Sequence, residues 1–269
     1  MLDMTPFQVV PGRPAGLKQR DPASKAGFEG GSDEGKTALP AMNEQLAELQ
    51  TRLWAEREHK LLVVLQAMDT GGKDGTIRHV FKGVNPQGVR VWGFGAPTEV
   101  ELGHDYLWRI HQRAPESGTI AIFNRSHYED VLVVRVTNLV EEERWRKRYD
   151  HIVDFERLLH DEGTTIVKLF LHISKDEQKA RLQARLDDPG KRWKFSLGDL
   201  DDRKLWDDFT DAYEEALTRT SSTHAPWYVV PADRKWYRNL VVSSILIQTL
   251  ESMGPQYPPD PGLDGVVVE

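Results

Sequence analysis

None of the 269 residues is cysteine. That excludes a disulfide framework, a thiol nucleophile and a cysteine-ligated zinc site. Long apolar runs are absent too. The longest unbroken aliphatic stretch is Leu61–Leu65, whereas a bilayer span needs about 20 apolar residues. The first 40 residues contain no apolar run of signal-peptide length. The expected compartment is therefore the cytoplasm, where the sequon Asn124-Arg125-Ser126 carries no meaning. An excess of basic charge is also missing: 35 Lys and Arg stand against 42 Asp and Glu, a formal net charge of −7. This excludes a nucleic-acid coater with a broad basic face. It does not exclude a polyanionic ligand. Residues 199–215 carry eight acids against two bases, and 251–269 four acids and no base, which leaves the rest of the chain net positive. Local field, not total charge, governs capture of a charged ligand.

What is present is a packed globule: 39% hydrophobic residues with eight Trp, enough for one large domain or two small ones. Residues 1–40, rich in Pro, Gly and charge, are expected to form an extended N-terminal arm. Residues 41–251 are expected to form the domain, and 252–269, with four prolines, a tail. Helices and strands alternate in the middle. Met42, Leu46, Leu49 and Leu53 lie on one helix face, as do Trp145, Tyr149, Ile152, Phe155 and Leu159. Leu205, Phe209, Ala212 and Ala216 mark a third helix, and Asp233 to about Glu251 a last one. Ser174 with Glu177 reads as a capping box. Leu61–Leu65, Val89–Trp92, Ile120–Phe123, Ile166–Leu171 and Trp227–Val230 read as strands. Such alternation implies βαβ crossovers and an α/β fold with a central parallel sheet covered on both faces. No internal repeat interrupts it.

Three segments carry chemistry. After the first strand comes Ala67-Met68-Asp69-Thr70-Gly71-Gly72-Lys73-Asp74-Gly75-Thr76. A buried strand, a glycine turn, a Lys and a helix are the layout of a phosphate loop, where backbone N–H groups and the helix N-terminus face phosphate oxygens. The match is imperfect, because Ala67 replaces the first Gly and Asp74 the magnesium-holding Ser/Thr. Carboxylates beside a phosphate site repel the ligand unless a cation intervenes, so the substitution argues for Mg²⁺ with Asp69 the better ligand. The plainer alternative is a Gly-Gly turn with exposed charges. The second segment is Phe123-Asn124-Arg125-Ser126-His127-Tyr128-Glu129-Asp130. Asn124 stands where phosphate-loop enzymes place an acid. Ser126 and His127, being adjacent, make a poor nucleophile–base pair, and His127 with Glu129 and Asp130 lacks a metal-ligand spacing. The third is the cation cluster Arg185, Lys191, Arg192 and Lys194 around Pro189-Gly190, read either as an anion-gripping lid at about 185–200 or as a solvated loop. Arg144, Arg146, Lys147 and Arg148 follow three Glu and are adequately explained by helix salt bridges.

Together these segments resemble polyphosphate kinase family 2. The resemblance rests on the variant phosphate loop, on the Asn124–Asp130 motif and on Lys191-Arg192-Trp193-Lys194-Phe195, and extends over about residues 25–258. It implies a thymidylate-kinase-like P-loop kinase fold, a three-layer αβα sandwich with a helical lid. It implies Mg²⁺-dependent phosphoryl transfer between inorganic polyphosphate and nucleotides, with Mn²⁺ as a substitute metal. Asn124 is similar to the branch that accepts both nucleoside mono- and diphosphates, AMP to ADP and ADP to ATP, with guanine nucleotides as further acceptors. On this resemblance Lys73 grips the transferring phosphoryl group, Asp69 binds the metal and Arg125 neutralises developing charge. Gly71, Gly72, Asp74, Gly75, Thr76, Asn124, Glu129 and Asp130 bind nucleotide or phosphate. Arg185, Lys191, Arg192 and Lys194 close over it. Lys73, Arg78, Lys82 and Arg125 are expected to line a polyphosphate channel, Arg78 and Lys82 being four residues apart on the helix after the loop. The family implies a homodimer or homotetramer, and no nucleic-acid or membrane partner. The rival readings are an ATP-dependent nucleotide kinase of the same fold and a non-catalytic polyphosphate-binding protein.

Overall fold

The computed structural model describes residues 2–263 and 266–268; positions 264, 265 and 269 of the expected tail lie outside the described residues. Strands Lys60–Ala67 (β1), Val89–Gly93 (β2), Ile120–Asn124 (β3), Thr164–His172 (β4) and Trp227–Pro231 (β5) form one parallel sheet in the order β2-β3-β1-β4-β5. Every residue of β1 from Leu61 to Ala67 is buried. That accounts for its unbroken aliphatic run, because a central parallel strand is covered on both faces. It pairs Leu61–Leu65 with Ile120–Asn124 on one side and Lys60–Ala67 with Thr164–Leu171 on the other.

The helices are Ser32–Glu56 (α1), Lys73–Val80 (α2), Glu99–Leu102 (α3), Trp108–His111 (α4), Val133–Val136 (α5), Glu142–Asp161 (α6), Lys175–Asp187 (α7), Gly198–Lys204 (α8), Trp206–Thr220 (α9) and Lys235–Met253 (α10). Helices α1, α2 and α10 pack together on one face, and α5, α6 and α9 on the other. The apolar stripe of α6 is buried as its spacing predicts: Trp145, Tyr149, Ile152, Phe155 and Leu159 all lie in the core, each worth about 1.5–3 kcal/mol when fully removed from water. Half of the expected capping box at α7 forms. Ser174 Oγ accepts from the Glu177 N–H at 3.0 Å, but the Glu177 carboxylate turns to Arg181 instead, at 2.7 Å.

The stretch expected as an extended arm, 1–40, is extended only in part. α1 begins at Ser32 and carries Pro40 inside it, so its first turns lack the sequence signature of a helix. Residues 2–31 are tied down along their own chain. Gln8 forms an antiparallel bridge to Tyr228, the Val9 N–H donates to the Trp227 carbonyl at 2.8 Å, and Ser221 Oγ donates to the Val9 carbonyl at 2.7 Å. The Glu214 carboxylate accepts from the Gly16 and Leu17 N–H groups at 2.8 and 2.7 Å. With Phe7, Val9 and Leu17 buried, this strap covers the outer edge of β5, which would otherwise offer unpaired backbone groups.

Candidate active site

The loops leaving the carboxyl ends of β1 and β3 turn to opposite faces, since β1 leads to α2 and β3 to α5 and α6. A crevice opens at such a switch point, where open parallel sheets bind ligands. On its β1 side lies the phosphate loop. Thr70 and Gly72 both take left-handed backbone (φ 61° and 101°) to aim the turn into α2. Gly72 could not carry a side chain for a second reason: a Cβ there would meet the Arg238 guanidinium. A Cβ on Gly71 would meet the Ala67 methyl, so the loop closes on Ala67 where the usual motif has glycine.

Arg125 faces the loop from the β3 side. Its φ of 62° is unusual for a non-glycine residue and costs about 1–3 kcal/mol. Its N–H donates to the Leu65 carbonyl at 3.2 Å, and its guanidinium to Asp69 Oδ1 at 3.0 Å. Asn124 donates to Asp74 Oδ1 at 2.8 Å, so the residue in place of a carboxylate meets the residue in place of a hydroxyl. Lys73 Nζ donates to the Ala67 carbonyl at 3.1 Å. Burial and the Arg125 charge push the Lys73 pKa down, against the pull of Asp69, Glu129 and Asp74. Burial opposes the Arg125 charge, but Glu129 and Asp69 outweigh it and leave its pKa raised. Glu129 and Asp130 are raised by burial, with Arg125 and Lys73 opposing at the first and Arg148 and Arg109 at the second.

Two cavities meet here. One, of about 560 Å³, lies over the phosphate loop and is lined by Lys73, Asp74, Arg78, Asn124, Arg125, Arg185, Lys191 and Lys194. The other, of about 600 Å³, combines Phe94, Tyr106, Val133, Val134 and Leu139 with Arg109, Arg144, Arg148, Glu129 and Asp130. Arg125 lines both. The segment between α7 and α9 brings Lys194 Nζ to 4.0 Å from Asp74.

Not every expected residue arrives. Arg192 donates to the Leu186 carbonyl at 2.7 Å and lines neither cavity. Lys82 also lines neither: α2 ends at Val80, so Lys82 is not on the helix face of Arg78. Thr76 is buried and donates to the Gly72 carbonyl at 3.0 Å, holding the loop rather than facing the crevice. Ser126 and His127 are buried and face away from each other's chemistry: Ser126 Oγ accepts from Gln66, and His127 pairs with Glu156. Arg146 and Lys147 do pair along the helix with Glu142 and Glu143. Arg148 does not. It is buried against Asp130 at 3.0 Å, and Arg144 joins it at the second cavity.

The Polyphosphate kinase 2 (PPK2) family model matches residues 30–258. The chain belongs to the polyphosphate kinase 2 family. An AMP/ADP-polyphosphate phosphotransferase of Meiothermus ruber is 59% identical over 267 residues, 99% of this chain and 100% of the relative. An ADP-polyphosphate phosphotransferase of Rhodopseudomonas palustris is 49% identical over 227 residues, 80% of this chain and 78% of the relative. The crystal structure of Polyphosphate Kinase 2 from Arthrobacter aurescens TC1 superposes with a TM-score of 0.91 at 46% identity, covering 95% of this chain and 91% of that one.

Within this polyphosphate kinase 2 site several residues carry no local motif and become visible only in three dimensions. From α7, Gln178 donates to the Asp69 carbonyl at 3.2 Å, and Arg181 to the Thr70 and Gly71 carbonyls at 3.1 and 3.0 Å, bracing the phosphate loop from behind. Tyr213 donates to the Ala67 carbonyl at 3.1 Å. Asp202 of α8 meets Asp69: burial, the Asp69 contact and Asp199 push its pKa up to about 6. Carboxylates crowded in this way make a hard oxygen donor set that a divalent cation would relieve. Among the described residues no group of three or more His, Asp or Glu is disposed to hold an ion alone.

Proposed function

We propose that this chain is a polyphosphate:nucleotide phosphotransferase that converts AMP to ADP and ADP to ATP with inorganic polyphosphate as donor. One observation carries the reading: a cation-lined cavity over a phosphate loop and a partly apolar cavity meet at Arg125, Phe94 and Gly95, with Arg125 the cation common to both. The first suits a polyphosphate end held by Lys73, Arg78, Arg185, Lys191 and Lys194. The second suits a nucleoside, its base against Phe94, Tyr106 and Leu139 and its phosphates toward Arg125. The 59% identity to a protein named for both acceptors supports dual use.

Phosphoryl transfer needs positioning and charge stabilisation more than a side-chain nucleophile. The nucleotide's terminal phosphate oxygen attacks the terminal phosphorus of polyphosphate. The bond to the next bridging oxygen breaks, and the shortened chain leaves with that oxygen's charge. Lys73 and Arg125 hold the charge that develops between the two. Asp69 would hold Mg²⁺, or Mn²⁺ in its place, which when bound neutralises phosphate charge.

The test is donor choice. With AMP as acceptor, polyphosphate as sole donor should give ADP and ATP, and ATP as sole donor should give no comparable rate. The opposite ranking would replace this reading by an ATP-dependent nucleotide kinase. A second expectation concerns the loop. Gly72→Ala combines a left-handed φ with a collision at Arg238. Misplacing the loop should lower kcat/KM for polyphosphate by about a hundredfold, read by steady-state kinetics beside the melting temperature.

A further inference from the structure

The start of the phosphate loop turns on one peptide bond. The Gly71 N–H donates to the Met68 carbonyl at 2.9 Å, which closes a β-turn with Asp69 and Thr70 at its centre. Thr70 is left-handed at φ 61°, and Asp69 is not. A positive φ at the third position alone is the type II pattern, which favours Gly or Asn there. A β-branched threonine is strained in it. Flipping the Asp69–Thr70 peptide toward type I would relieve Thr70 while the ends of the turn stay in place. The flip would swing the Asp69 carbonyl, and with it a side chain whose Oδ1 accepts from Arg125 at 3.0 Å.

Arg181 takes the carbonyls of Thr70 and Gly71, so the hold on the Asp69 carbonyl falls to Gln178 of α7. Gln178 is 2% exposed, and its Nε2 donates to that carbonyl at 3.2 Å. A carboxamide can present either end, and only its nitrogen suits a carbonyl oxygen. Arg203 of α8 settles which end points where. Its Nη1 donates to Gln178 Oε1 at 2.9 Å and to the Lys175 carbonyl at 2.6 Å. A guanidinium accepts nothing, so the amide oxygen must face Arg203 and the nitrogen must face Asp69. Gln178, Asp69 and Arg125 line one small cavity, which carries this contact to the reacting side of the loop. Arg203 itself lines neither of the two cavities assigned to substrates. We propose that Arg203 is a positioning residue: by fixing the Gln178 amide it keeps the Asp69–Thr70 peptide in its strained orientation and so sets Asp69 against Arg125.

Two measurements test this. The first needs no activity and uses the resting protein labelled with ¹³C and ¹⁵N. Arg203→Ala, at a partly exposed position that leaves the fold intact, should move the Asp69 carbonyl and Thr70 amide resonances. Gln178→Met should move them in the same direction, and the resonances of β5 should stay in place in both. Asp69 and Thr70 resonances that ignore Arg203→Ala overturn the proposal. The second is a kinetic cycle with polyphosphate and ADP, and it rests on the functional reading above. Arg203→Ala should lower kcat on the order of tenfold, within the loss of about 10² that a misplacement of about 1 Å brings, and leave both KM values within about twofold. In an Arg125→Ala protein the same substitution should cost less than about twofold, because a residue acting through Arg125 then has nothing left to position. A merely structural role predicts equal losses in the two backgrounds, and that result overturns the proposal. A wild type that transfers nothing from polyphosphate would fault the function instead, and the Asp69 and Thr70 resonances would still decide the role of Arg203.

Discussion

Arg125→Ala should lower kcat about a thousandfold while changing the nucleotide KM far less. Arg125 lines the cavity over the phosphate loop and the partly apolar cavity alike, in a strained backbone conformation tied to Leu65 and Asp69. An arginine that stabilises a transferring phosphoryl group is worth about 10³–10⁵ in kcat. An interaction made chiefly in the transition state appears in kcat rather than in KM. Lys73→Ala should cost about 10²–10³, the usual effect of deleting one preorganised charge-stabilising donor. Arg125→Lys should recover only part of the loss, because an ammonium keeps the charge but loses the planar fork that reaches Asp69 and the phosphates together. Steady-state kinetics with each substrate varied in turn separates these outcomes. An Arg125→Ala enzyme with wild-type kcat would remove the residue from the reaction.

The largest expected effect on stability lies beneath the site, at Lys168 and Glu156. Both are buried, with Lys168 Nζ 2.5 Å from Glu156 Oε2, 2.9 Å from the Tyr128 hydroxyl and 2.7 Å from the Thr220 carbonyl. Tyr128 also reaches Glu156 at 2.9 Å, and His127 does so at 3.3 Å. This network anchors the 3-10 turn His127–Asp130, which presents Glu129 and Asp130 to the second cavity. Lys168→Met leaves a buried carboxylate unpaired and should cost about 3–5 kcal/mol. Adding Glu156→Gln should restore much of that, because the uncompensated charge rather than the lost bond dominates the penalty. Denaturant unfolding of the two variants checks both statements. Burial acts to raise the Glu156 pKa, but Lys168 and His127 outweigh it and hold it below the ordinary value. Its contribution is therefore fully present above an unfolded carboxyl pKa of about 4.3 and is lost as pH falls through the lower folded value.

Legibility in the sequence followed the distance over which each signal acts. The parallel sheet was readable because β1 and β4 are nearly continuous apolar runs, yet Lys168 inside β4 gave no hint that a buried ion pair sits there. Asp69, Lys73 and Arg125 could be expected at the crevice, which they line, because each follows a strand within a few residues, where a crevice must open. Arg78 was placed and Lys82 misplaced because the helix was assumed to continue past Val80. The braces Arg181 and Gln178, the α8 acid Asp202 and the buried Arg238 lie on later elements, more than a hundred residues from the loop they touch. Nothing local distinguishes them from surface arginines and acids. The net charge of −7 says nothing of the crevice for the same reason, since it sums over surfaces far from it.

The central claim is that phosphoryl groups pass directly from polyphosphate to the nucleotide. The most direct measurement is a quantitative time course with ADP as sole nucleotide, run with and without polyphosphate and Mg²⁺. The account predicts ATP only when polyphosphate is present, one ATP for each ADP consumed, and no AMP. ATP and AMP appearing in equal amounts without polyphosphate would mean that ADP is being disproportionated, and would contradict it.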